Sequence, residues 1–209
     1  GRGTTDERTP ALNYQAVDVR SAGSGVSVND AVDPVAAMLS VLDLRDAGAR
    51  TTEDIFTGAS QPMPGGRVYG GQVLAQSIVA ASRTLSPERT VHSMHGYFLR
   101  PGDPQNGITF SVDRIHDGRS FSTRRTQAFQ DGVPIFSMIA SFQDADPGFE
   151  HQEAMPDGIP APEELIPFDA EDLHPVSRRM FSDRPVDVRH VPSPVYTSVE
   201  GPREARQAV

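Results

Sequence analysis

Apolar positions recur with two different periods along this chain, and the change from one to the other divides it. Over residues 33–44, Val35, Met38, Leu39, Val41 and Leu42 fall at near-helical spacing behind Asp33 and Pro34, a cap and first turn. A short strand is expected over residues 53–58 ("EDIFTG"), followed by the turn-rich "ASQPMPGG". From Gly71, the residues Leu74, Ile78, Ala81 and Leu85 lie at i, i+4, i+7 and i+11, which predicts a helix whose apolar stripe is widened by Val73 and Ala80. Ala75, Ser77, Ala80, Ala81 and Ser82 keep that helix slim, as suits burial against a sheet.

After Pro87 the period becomes two. Strands are predicted over residues 91–99 ("VHSMHGYFL"), 108–115 ("ITFSVDRI"), 120–129 ("SFSTRRTQAF") and 134–143 ("PIFSMIASFQ"). Two of the three junctions carry Asp-Gly, at Asp117 with Gly118 and at Asp131 with Gly132, a dipeptide suited to tight hairpins with positive φ. The third, "RPGDPQNG", is a longer turn. One helix followed by an antiparallel meander is an α+β unit of single-domain size.

The flanks read differently. Residues 1–28 lack sustained periodicity and are expected to be a disordered extension, with the native start near Val26 or Val28. Residues 144–175 hold ten Asp or Glu and six Pro with no Arg or Lys, which marks an acidic, proline-rich linker over residues 144–181. Residues 183–191 ("DRPVDVRHV") alternate like a new strand, so 182–209 reads as the start of an incomplete second domain.

Charge and composition narrow the function. The formal net charge is −9 and all 19 basic residues are arginine, which argues against sequence-independent nucleic-acid binding. Arginine clusters can still hold a phosphate-bearing small molecule. With no cysteine there is no disulfide, thiolate metal site or cysteine nucleophile. No apolar stretch approaches the roughly 18 residues of a membrane span, so a cytoplasmic location is expected.

Phosphate-loop, nucleophile-elbow, HExxH and GxGxxG patterns are all missing. Two features remain. Gly70 and Gly71 precede the slim helix, where free amides of Gly71, Gln72 and Val73 could stabilise an oxyanion, or the glycines could simply turn the chain. His92 and His95, three apart on a strand, are expected on opposite faces, where they cannot share a metal; each is a general base or a structural residue. His116, His151, His174 and His190 read as solvated. Of Arg124 and Arg125, one should face inward or toward a partner and could recognise a phosphate or carboxylate.

In order and spacing, "GGRVYGGQVLAQSIVAAS", "VHSMHGYFLRPGD", "RIHDGRSFSTRRTQAFQDG", "PIFSMIASFQ" and "GFEHQEAMP" closely resemble the amino-terminal half of bacterial acyl-CoA thioesterase II. The resemblance extends over residues 33–191. It implies a hot-dog fold over residues 33–143, an antiparallel sheet wrapped around one central helix, and hydrolysis of fatty acyl-CoA to free acid and CoA without cofactor or metal. It also implies acyl-CoA as partner, and either homo-oligomers or pairing with a second hot-dog domain. Gly70, Gly71, Gln72 and His92 are the expected substrate-binding residues. The family's catalytic Asp, Thr and Gln lie in its second hot-dog domain, and the matching segments fall beyond Val209. Asp183, Asp187, Thr197 and Gln207 do not sit in those motifs, so the chain is expected to be incomplete and crippled in hydrolysis. A hydratase or dehydratase using His92 or His95, and a noncatalytic module binding acyl-CoA or protein, are the alternatives.

Overall fold

A computed structural model describes residues 33–48, 52–63, 65–165, 185–189 and 191. The extension expected over residues 1–28, His174, His190 and most of the region beyond residue 165 lie outside them.

Pro34–Leu42 form α1, whose first turn is closed by Asp33: its side chain accepts from the Val35 amide at 3.0 Å, and Pro34 follows at the first helical position. The chain then adds Arg45–Asp46 as β1, Asp54–Gly58 as β2, Gly70–Ser82 as α2, Thr90–Phe98 as β3, Ile108–Asp117 as β4, Phe121–Gln130 as β5 and Val133–Gln143 as β6. All six strands pair antiparallel in one sheet of order β1-β2-β4-β5-β6-β3. Helix α2 contacts β3, β4, β5 and β6, which gives the expected α+β hot-dog arrangement.

The meander is therefore shorter than the pattern suggested. β4, β5 and β6 follow one another, but β3 pairs with β6 at the far edge, not with β4. Residues 99–107 carry the chain from the β3 edge back to β4, a crossover rather than a turn. Gln130 holds that crossover: its Oε1 accepts from the Asp103 amide at 2.8 Å, and its Nε2 donates to the Asp103 and Asn106 carbonyls at 2.8 and 2.9 Å.

Of the two Asp-Gly junctions, only one is a tight turn with positive φ. Asp131 at +50° and Gly132 at +75° join β5 to β6 as expected. Asp117 instead ends β4 in extended backbone, and residues 118–120 form the loop. Its carboxylate accepts from Ser122 Oγ and from Arg124 Nη2, each at 2.7 Å. Residues 185–189 and 191, within the segment expected to be a strand, have bends and irregular backbone, with no sheet edge paired to them.

The core lies between α2 and the inner sheet face. Phe110, Phe136 and Phe142 are fully buried there, each contributing about 2–3 kcal/mol of hydrophobic burial, against Val73, Ala80 and Ala81 of the helix. The helix is rotated from the expected stripe: Gln72, Val73, Gln76, Ser77, Ala80 and Ala81 face the sheet, while Leu74, Ile78 and Leu85 are only partly buried. Small and hydrogen-bonded residues occupy the deepest positions. Ser77 Oγ donates to the Val73 carbonyl at 2.7 Å, so its burial leaves no orphaned hydroxyl.

Arg124 points inward and Arg125 outward, as their alternation required. Burial tends to raise the pKa of Asp117, yet hydrogen bonds from Ser122 and Arg124 and the charges of Arg124 and Arg114 outweigh it and hold the carboxyl below its ordinary 3.8. A depressed folded value means stability that is full above the unfolded value and lost as pH falls through the folded one. Asp117→Asn should therefore lower the melting temperature at neutral pH, and the gap to the parent should close as the pH drops through the acid range. A gap constant with pH would show that the charge contributes nothing.

Candidate active-site cleft

The sequence places Val68 just ahead of α2, and the fold pins it beside the crossover: its amide donates to the Gly102 carbonyl at 2.9 Å. A cleft of about 310 Å³ opens where these segments meet. Val68, Val73, Phe98, Leu99, Pro101 and Ile135 supply its apolar lining, and Arg67 and Arg100 also line it. Gly70 lines the same cleft. A Cβ on Gly70 would sit 3.0 Å from Phe98 Cζ, so the glycine lets the Phe98 ring close on the helix start.

Helix α2 begins one residue earlier than its apolar period implied. The Tyr69 carbonyl accepts from the Gln72 amide at 3.0 Å and the Val73 amide at 3.3 Å. The amides left without a backbone acceptor among the described residues are thus Gly70 and Gly71, not Gln72 or Val73. A Cβ on Gly71 would lie 2.4 Å from Tyr69 Cε1, so the exposed Tyr69 ring covers that glycine.

Gln72 stands on the same turn, but its carboxamide is committed to the scaffold. Oε1 accepts from the Gln61 amide at 3.1 Å, while Nε2 donates to the Ala59 carbonyl at 3.0 Å and to Gln76 Oε1 at 3.2 Å. It fixes the loop before the cleft and does not line the cleft itself.

His92 is not brought to this place. A bulge between Val91 and Ser93 inserts one residue into β3 and cancels the parity that put His92 and His95 on opposite faces. His92 Nε2 lies 2.9 Å from Ser141 Oγ, its ring meets Phe121 edge-on at 5.7 Å, and His95 stacks edge-on with Tyr97 at 4.8 Å. His95, Ser93, Tyr97 and Ser141 line a second hollow, on the outer face of β3 and β6. Six residues of strand, roughly 20 Å, separate His92 from Phe98. Neither imidazole pairs with a carboxylate among the described residues. His151 is exposed and lies 3.5 Å from Glu153.

Chemically, the cleft can bind but holds no acid or base. No Asp, Glu, His, Ser or Thr lines it. Among the described residues there is also no group of three metal-ligating side chains, and no helix is long and apolar enough to cross a membrane. Arg67 and Arg100 were absent from the expected site. The motif "FLRPGD" held a clue, since an Arg-Pro-Gly immediately after a strand places a charge where the chain leaves the sheet.

Comparison with known proteins agrees with this geometry. Residues 59–143, which contain every residue lining the cleft, match the family model of the acyl-CoA thioesterase N-terminal domain. Human acyl-coenzyme A thioesterase 8 is 45% identical over 115 residues, 54% of this chain and 36% of the relative. Acyl-CoA thioesterase 2 of Haemophilus influenzae is 39% identical over 142 residues, 65% of this chain and 49% of the relative. The crystal structure of acyl-CoA thioesterase II TesB2 from Mycobacterium marinum superimposes with a TM-score of 0.58 at 40% identity, covering 78% of this chain and 56% of that one. The chain spans about a third to a half of the length of these two curated relatives. Residues 59–143 thus match the acyl-CoA thioesterase N-terminal domain, and the chain is similar over this region to acyl-CoA thioesterase II proteins.

Proposed function

We propose that this chain contributes the amino-terminal hot-dog domain of an acyl-CoA thioesterase, which hydrolyses fatty acyl-CoA to free fatty acid and CoA in cytoplasmic lipid metabolism. The observation that carries the proposal is the cleft beside the start of α2, inside the matched domain, with an apolar lining, two arginines and no acid or base. Such a cleft suits a part of acyl-CoA that does not react. Gly70 keeps a side chain away from it, and Gln72 braces the loop before it.

Hydrolysis needs water activated toward the thioester carbonyl, cleavage of the carbon–sulfur bond and a proton for the departing thiolate. The groups for these steps belong to a second hot-dog domain, where the family resemblance puts its Asp, Thr and Gln. In this reading residues 33–143 form the first domain, 144–181 the linker and 182–209 the opening of the second, with 1–28 an extension. Pairing with that second domain, or with another copy, completes the site.

Thiol release from palmitoyl-CoA tests the reading. The 209-residue chain should turn over at about one hundredth or less of the rate of a chain carried through a second hot-dog domain, because general acid–base groups contribute about 10²–10⁴ in rate. Absence of activity in both forms would overturn it; acyl-CoA binding without turnover in both would favour a noncatalytic module.

A further inference from the structure

We propose that Arg67 and Arg100 form a phosphate clamp for the CoA portion of the acyl-CoA, a role that rests on the functional reading above and adds its anion site. Ten arginines fall among the described residues, and six of them, Arg83, Arg89, Arg114, Arg124, Arg125 and Arg189, pair with carboxylates. Arg45, Arg67, Arg100 and Arg119 have no carboxylate partner among the described residues, and of these four Arg67 and Arg100 line the same cleft.

Their segments are held together by the Val68 amide on the Gly102 carbonyl at 2.9 Å, so the two arginines line one cleft although the sequence separates them. Arg100 Nη1 donates to the Pro134 carbonyl at 2.8 Å, which anchors one side of its fork while other donors remain free. The nearest acidic residue in the chain, Asp103, is turned into its own loop: it accepts from the Gln105 amide at 2.9 Å and from Asn106 Nδ2 at 3.2 Å.

On a chain of net charge −9, two unneutralised guanidiniums beside an apolar cleft select an amphiphile with an anionic group. Phosphate fits that chemistry best, because a planar fork of donors matches its oxygens in pairs. At about 310 Å³ the cleft takes the segment next to the phosphates.

The test is calorimetric titration of the 209-residue chain and its Arg67→Gln, Arg100→Gln double variant with octanoyl-CoA and with S-octanoylpantetheine, which carries the same thioester and no phosphate. The double variant should bind octanoyl-CoA about tenfold to a hundredfold more weakly, with S-octanoylpantetheine unaffected. Affinity of the parent chain for octanoyl-CoA should fall as salt rises, and this dependence should flatten in the variant. Lysine at both positions should restore part of the affinity. Parent-like affinity of the double variant for octanoyl-CoA would overturn the clamp, as would equal weakening of both ligands, which signals a damaged cleft. Octanoate competing only when both arginines are present would assign the clamp to a carboxylate and overturn the phosphate assignment. If the parent binds S-octanoylpantetheine and octanoyl-CoA equally well, the clamp alone falls; if it binds neither, the acyl-CoA reading falls with it.

Discussion

Replacing Arg124 with methionine is expected to lower the unfolding free energy by about 3–5 kcal/mol, the range for removing one member of a buried, hydrogen-bonded charge network. The side chain is 1% exposed, and its guanidinium makes five hydrogen bonds. Nε donates to Thr84 Oγ1 at 2.7 Å; Nη1 to the His116 and Thr123 carbonyls at 3.1 and 3.0 Å; Nη2 to the Thr84 carbonyl at 3.4 Å and Asp117 Oδ1 at 2.7 Å. Methionine fills much of the volume but leaves those acceptors facing a thioether, so lost satisfaction dominates over lost packing. Asp117 softens the damage, because its side chain is 54% exposed and water can replace the guanidinium.

Arg125→Met supplies the contrast. Arg125 reaches Asp113 at 3.0 Å on the exposed outer face and should cost less than about 0.5 kcal/mol. Urea denaturation measures both, with an unchanged slope showing that the denatured state is the same. Similar losses for the two arginines, or a loss under about 1 kcal/mol for Arg124, would defeat the assignment of Arg124 as the bond between the end of α2 and the β4–β5 tip.

These neighbouring arginines show what local pattern can and cannot reveal. Period-two alternation separates their faces, but which one is inside depends on Thr84 and His116, distant in sequence. The cap at Asp33, the slim helix and the Asp131 and Gly132 turn were legible because each rests on contacts within a few residues. Strand pairing is not local in that sense. β3 joins β6 through a crossover braced by Gln130, and nothing in "RPGDPQNG" distinguishes a crossover from a long hairpin. One inserted residue at the β3 bulge was enough to reverse the parity argument for His92. At the cleft, Gly70 was legible from its place before the helix, whereas Arg67 and Arg100 acquire a shared role only when the Val68 amide meets Gly102.

Substitution at Gln76 should produce the second large effect, and its pH dependence is diagnostic. Gln76 is fully buried; its Nε2 donates to the Val41 carbonyl at 2.7 Å and the Ala59 carbonyl at 2.9 Å, tying α2 to α1 and to the loop after β2. Gln76→Leu removes both bonds and the Oε1 acceptor of Gln72 Nε2, and should cost about 2–3 kcal/mol, since Val41 loses its side-chain donor while Ala59 keeps the one from Gln72. Gln76→Glu retains the shape but must hold a proton to donate at all. Burial and two facing carbonyls would raise its folded pKa above the unfolded value, so its stability should be greatest below that unfolded value and decline as pH rises through the folded one. Melting temperatures of the two variants should therefore converge toward neutral pH or cross, with the carboxyl variant ahead in acid. Parallel curves would mean that the site admits water and that the two carbonyls do not need the amide. The same comparison bears on the cleft, because the Ala59 carbonyl is also a partner of Gln72. If Gln76 were dispensable, Gln72 alone would have to fix the loop before the cleft, and Gln72→Leu should then cost more than the roughly 1–2 kcal/mol expected for losing its own bonds.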